Sequence, residues 1–188
     1  MHLQLFIHGA VECLLKTYGI QAPLDSKPDS CTTYGQPGIV IRQKAQGGRY
    51  TSSARLWGVT EASFTDENRT RLSHGTIERC IIPVSGFRIR WNESWYEVLL
   101  KDGSSMSCIG IWEAWQNAAG LQQEGVVLIT TMANVLLAPF QKTMPIILHP
   151  SELDNWLQSE RPLKQDLQRL ASPYPSELMC ITPLCTSE

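Results

Sequence analysis

The residues best suited to chemistry in this chain are arginines interleaved with large aromatics. From Arg79 to Trp91 the sequence reads Arg-Cys-Ile-Ile-Pro-Val-Ser-Gly-Phe-Arg-Ile-Arg-Trp. Its last five residues alternate, so a strand there places Phe87, Ile89 and Trp91 on one face and Arg88 and Arg90 on the other. Arg55, Arg69, Arg71 and Lys142 are further cations, and Trp57 is a second indole of interest. Cations tracking phosphates, with Trp57 and Trp91 as stacking platforms, form a single-stranded nucleic-acid groove; each stacked base contributes about 1–3 kcal/mol. The same residues also read as solvated arginines and core tryptophans, and composition alone favours that second reading.

Other reactive types are scattered. The six cysteines, at 13, 31, 80, 108, 180 and 185, form no CxxC pair, and the four histidines are isolated, so neither a disulfide framework nor a metal site is expected. Cys80 and Cys108 lie in apolar runs and read as buried, inert thiols. His2 reads as a strand residue, and Glu113 as a carboxylate paired with a cation at the edge of the core. No nucleophile–base pair is visible, and no cofactor is expected.

At 188 residues, with 43% hydrophobic and 18% charged content, the chain suits one domain with a sizeable core. A net charge of −2 gives no global attraction to nucleic acid, so any such binding needs a local basic face. No apolar run reaches the roughly 20 residues of a membrane span, and the amino-terminal residues make a poor signal peptide, so a cytoplasmic location is expected.

The elements that must position these residues are mainly strands. Residues 1–9 alternate as a strand, and Ala10 to Tyr18 has helical spacing stopped by Gly19. Ile39 to Arg42 and Tyr50 to Trp57 read as a hairpin about Gly47-Gly48, with Gly58 ending the second strand. Residues 60–78 read as a polar surface segment. Cys80 to Ile82 is a buried strand limited by Pro83. Trp95 to Leu100, Met106 to Trp112, Gly125 to Thr131 and Pro145 to Leu148 follow as strands. A helix from Pro150 to about Gln158, a second over Lys164 to Leu170, and a strand over Ile181 to Leu184 complete the chain.

Five ordered segments resemble the SOS-response-associated peptidase (SRAP) family. Arg79–Phe87 is similar to its R-C-L-I-P-A-D-G-F, and Trp57-Gly58 to its R-W-G element. Ile109–Trp115 resembles A-G-L-W-E-x-W, and Ile129–Asn134 resembles I-T-T-x-A-N. Ala138–Leu148 with Trp156-Leu157 resembles A-P-I-H-D-R-M-P-V-I-L…W-L. The likeness is dense over 79–157 and diffuse before it. It implies an α+β fold, a single SRAP-like domain over 1–188 with a curved, barrel-like β core flanked by short helices. It also implies relatives that sense abasic sites in single-stranded DNA. In that family an amino-terminal cysteine condenses with the abasic aldehyde and closes a thiazolidine, assisted by an asparagine, a glutamate and a histidine.

This chain departs from the pattern at those positions. The cysteine position falls on His2, the glutamate on Ile89 or Arg90, and the histidine on Gln141, which does not titrate. Asn68 is the candidate for the asparagine. The resemblance therefore implies a catalytically degenerate member, a non-covalent binder of single-stranded or damaged DNA through Arg55, Trp57, Asn68, Arg69, Arg71, Arg88, Arg90, Trp91 and Lys142. Two other readings stand beside it: a protein-interaction module on the same fold, and an enzyme with relocated catalytic groups.

Overall fold

The computed structural model describes residues 3–8, 15, 16, 18–20, 30–33, 36–43, 49–61, 76–116 and 120–184, with the backbone alone for 49–61 and a few strand ends. Two sheets carry the fold. The first has strand order β12-β7-β6-β1-β2. Its members are β1 (Leu3–Ile7), β2 (Ser30–Thr32), β6 (Gly86–Trp91), β7 (Ser94–Leu100) and β12 (Met179–Pro183). The second contains β3 (Pro37–Gln43), β4 (Arg49–Glu61), β5 (Thr76–Val84), β8 (Met106–Gln116), β9 (Gln122–Met132), β10 (Thr143–Pro145) and β11 (Ile147–Leu148). Its pairings run from β4 through β3, β5 and β8 to β9, and β9 lies parallel to β4, which curves this sheet into a barrel-like core.

Period-two alternation sorts the side chains into two apolar layers. Cys80, Ile82, Cys108, Val126 and Leu128 join Leu5, Phe87, Ile89 and Val98 of the first sheet in one core. Ile81, Ile109, Ile111 and Ile129 face the other way, against Trp156, Leu157 and Leu167 of the helices. That double burial is why these strands read as unbroken apolar runs. The helices are α1 (Leu153–Leu157), entered through a 3-10 turn at Pro150–Glu152, and α2 (Leu163–Leu170). Trp156 Nε1 donates to the Cys80 carbonyl at 2.9 Å, fastening α1 to β5. Arg79 reaches Asp166 at 2.9 Å and the Arg161 carbonyl at 2.6 Å, fastening α2 to the same strand. The family arginine-cysteine pair at Arg79-Cys80 is therefore a helix anchor on one residue and a core thiol on the next.

The α+β architecture expected from the sequence is the observed one, and several boundaries move. Gly58 does not end β4, which runs on to Glu61 past a register shift between Leu56 and Gly58. Trp57 is the extra residue of that bulge. Residues 76–78 belong to β5 rather than to the polar surface segment, and Pro83 is paired opposite Ser107 inside the strand. Strand β8 extends to Gln116. Pairing partners prolong all three elements beyond what local patterning suggested. The remainder of the first helix, the Gly47-Gly48 turn and residues 62–75 lie outside the described residues. Among the described residues no helix is long and apolar enough to cross a membrane.

Candidate nucleic-acid interface

The face of the first sheet that carries Ile89 ends in an aromatic edge. Leu3 of β1 is the cross-strand partner of Ile89 in β6, and Ile89 is in turn the partner of Tyr96 in β7. This row of Leu3, Ile89 and Tyr96 therefore shares one face, and Trp91 follows two residues along. The β6–β7 connection is a two-residue hairpin loop with positive φ at Asn92 (46°) and Glu93 (65°), the conformation whose twist matches the flanking strands. It sets Trp91 at the sheet's tip. There Trp91 meets Phe140 edge-on, with ring centroids 5.3 Å apart, and Tyr96 at 6.2 Å; Tyr96 and Phe140 are 5.1 Å apart. Trp91 remains 39% exposed.

Phe140 comes from a turn over residues 134–141 that Asn134 holds in place. Its Oδ1 accepts from the Leu137 N–H at 3.1 Å, while Nδ2 donates to the Tyr174 carbonyl at 2.8 Å and contacts Met179 Sδ at 3.3 Å. The buried amide thus ties the turn to β12 and leaves Leu137 in the core. Gln141 follows Phe140, with its Nε2 buried and unbonded. Lys142 is exposed, and its carbonyl accepts from Ala133.

Of the residues singled out from sequence, the structure gathers Ile89, Trp91, Gln141 and Lys142 in this region, and Arg90 sits exposed beside Trp91 on the opposite face of β6. Arg88 is not a free groove cation. Its Nε and Nη2 donate to Glu97 Oε1 at 3.0 and 2.8 Å, its guanidinium lies 4.9 Å from the Phe6 ring, and His8 Nε2 approaches the same carboxylate at 3.5 Å. The alternation that put Arg88 and Arg90 on one face was right; the cross-strand acid that engages only the first was invisible in it. Ile89 is 1% exposed and packed in the core. Arg55 and Trp57 lie on β4 of the other sheet, placed by backbone alone; His2, Asn68, Arg69 and Arg71 lie outside the described residues.

The expected cationic partner of Glu113 is a correction as well. The side chain is 9% exposed, its Oε1 is buried and unbonded, and burial pushes its carboxyl up to about 7. The cation that does enter the core edge is Arg42, stacked 3.4 Å over the neighbouring Trp112 ring and paired to Glu78 at 2.6 Å. Cys80 and Cys108 are fully buried, as expected, and desolvation pushes the Cys108 thiol up to about 12 and Cys80 also upward. Sequence reasoning missed Leu3, Tyr96, Phe140 and Asn134. Phe140 and Asn134 stand inside segments already noted for their family likeness, but nothing local tells that Phe140 meets Trp91.

Fold and edge together define a mixed two-sheet protein with an aromatic, carbon-lined strand edge flanked by exposed cations. The SOS response associated peptidase (SRAP) model matches residues 67–187, and the chain belongs to that family. It is 28% identical over 108 residues to the abasic site processing protein YoqW of Bacillus subtilis, covering 54% of this chain and 48% of the relative. Against the abasic site processing protein YoaM of the same organism it is 27% identical, covering 54% and 47%. The chain spans about half the length of these curated relatives. Two solved structures share the fold: a Bacteroides thetaiotaomicron protein (TM-score 0.79, 19% identity, 97% of this chain and 92% of that one) and a Bordetella bronchiseptica protein (TM-score 0.73, 17% identity, 97% and 99%).

Proposed function

We propose that this SRAP-family chain binds single-stranded DNA, intact or damaged, non-covalently and without forming the family's covalent crosslink. The names of its relatives support a role connected with abasic DNA. The observation that carries the non-covalent reading is the row Leu3–Ile89–Tyr96. The resemblance calls for a carboxylate at Ile89 or Arg90; Ile89 is buried with a leucine as its cross-strand neighbour, and Arg90 is a cation. Gln141, at the histidine's position, exchanges no proton at neutral pH. Arg90 and Lys142 supply charge for phosphates, and Trp91 supplies a ring for stacking.

The test is binding to single-stranded DNA with and without an abasic site, at two salt concentrations, followed by denaturing electrophoresis. Two phosphate contacts predict a binding constant about sevenfold lower at 200 mM than at 50 mM salt. A shifted band on abasic DNA that survives denaturation would refute the non-covalent reading. A second reading, docking of a protein, has one observation in its favour: Met132 and Val135, beside the Asn134 turn, are 75% and 82% exposed. Salt-insensitive capture of a protein with no DNA binding would favour it.

A further inference from the structure

We infer that the aromatic edge takes an intact nucleobase of a single strand and discriminates against an abasic sugar. This rests on the DNA-binding reading above and specifies the ligand of the same site. Three observations carry it. First, the side chains of the row are hydrocarbon except for the Tyr96 hydroxyl: Leu3 and Tyr96, both half-buried, stand on either side of the core residue Ile89 across three strands. Second, Trp91 is held by two other rings. Its contacts with Phe140 and Tyr96 are T-shaped, at interplanar angles of 70° and 67°, and they leave the residue 39% exposed. A part-exposed indole packed against two rings loses less side-chain freedom when a ligand arrives, which makes it a preorganised contact. Third, two exposed cations lie near the edge, Arg90 next to Trp91 on the other face of β6 and Lys142 two residues beyond Phe140, against one exposed acid in the β6–β7 loop, Glu93. Charge complementarity therefore favours a polyanion over an apolar protein segment.

What such a surface selects follows from desolvation. An abasic sugar is small and carries hydroxyl or aldehyde oxygens that hydrogen-bond water. Placed against the half-buried Leu3, Tyr96 and Phe140 it would lose those bonds with few replacements, which disfavours it. The Gln141 amide offers little help, because its Nε2 is buried away from solvent. A base brings a flat π-face that buries apolar area and stacks on indole, and its polar edge can stay in water.

The experiment compares the full chain binding fluorescein-labelled oligothymidine and a strand of the same length built entirely of a stable abasic analogue, by fluorescence anisotropy at low salt. Intact DNA is expected to bind at least about fivefold tighter. Trp91→Ala should bring the two affinities together, whereas Lys142→Gln should weaken both by the same factor. An abasic strand bound as tightly as the intact one, or a preference that survives Trp91→Ala, overturns the inference while leaving DNA binding standing. Failure of the native chain to bind either strand sinks the DNA reading itself and this inference with it. The strand comparison on the native protein is decisive even where the Trp91 variant folds poorly.

Discussion

Gly86, at the start of β6, is a position where a single methyl group should do heavy damage. A Cβ there would stand 2.7 Å from Phe6 Cζ and 2.9 Å from Leu99 Cδ2, and closer still to the carbonyl oxygen of Val98. The Phe6 ring and the Leu99 side chain can shift, but the carbonyl belongs to the paired strand β7 and cannot move without opening the ladder at Gly86–Leu99 and Phe87–Val98. Losing two ladder hydrogen bonds costs about 2 kcal/mol, and overpacking a filled site adds about 1–3 kcal/mol. Gly86→Ala is thus expected to destabilise the chain by about 3–5 kcal/mol, lowering the thermal midpoint by roughly 6–20 °C. The control is Gly103→Ala. Gly103 has φ of +72° and nothing within 4 Å of an added Cβ, so only backbone strain of about 1–2 kcal/mol applies. Thermal and urea unfolding followed by circular dichroism would measure both. A Gly86→Ala cost no greater than that of Gly103→Ala would refute the close-packing argument. Because β6 also carries Ile89, Arg90 and Trp91, the same variant should lose the DNA affinity proposed for that edge.

Two further outcomes follow from buried charge. Burial raises the Glu113 carboxyl to about 7, above its unfolded value, so its folded form holds a proton that the unfolded chain releases. Its contribution is complete below about pH 4.5 and is lost as pH rises to about 7, a fall on the order of 1–2 kcal/mol once solvent screening is allowed for. Glu113→Gln should flatten that part of the stability–pH curve, and an unchanged slope in urea titrations would refute the assignment. Asp166 is 1% exposed and paired to Arg79, so Asp166→Ala strands a guanidinium beneath α2; a loss of about 3–5 kcal/mol is expected, and a loss below about 1 kcal/mol would show that the pair does not anchor the helix.

Much of the architecture was legible along the chain because it is written in short periods. The apolar run at Cys80–Ile82, the alternation from Phe87 to Trp91, and the helical spacing before Leu170 each need only a handful of neighbouring residues to be read. The family segments added the order of those elements, which is why an α+β core with a curved sheet could be expected. Boundaries were less legible. Glu61 and Thr76 are strand residues because β9 and β8 lie beside them, and no local propensity reports a partner strand.

Along the chain alone one reads the resemblance and the expectation drawn from it, that isoleucine or arginine stands where a carboxylate is called for and glutamine where a histidine is. What those residues do together came from the packed fold. It showed Arg88 engaged by Glu97, Arg90 exposed, Glu113 with no cation paired to it among the described residues, and Trp91 propped by Phe140 and Tyr96. The physical reason is that charge pairing and ring contact act across space over a few ångströms. The partners came from a neighbouring strand in one case and from a turn far along the chain in the other, and a sequence records neither distance.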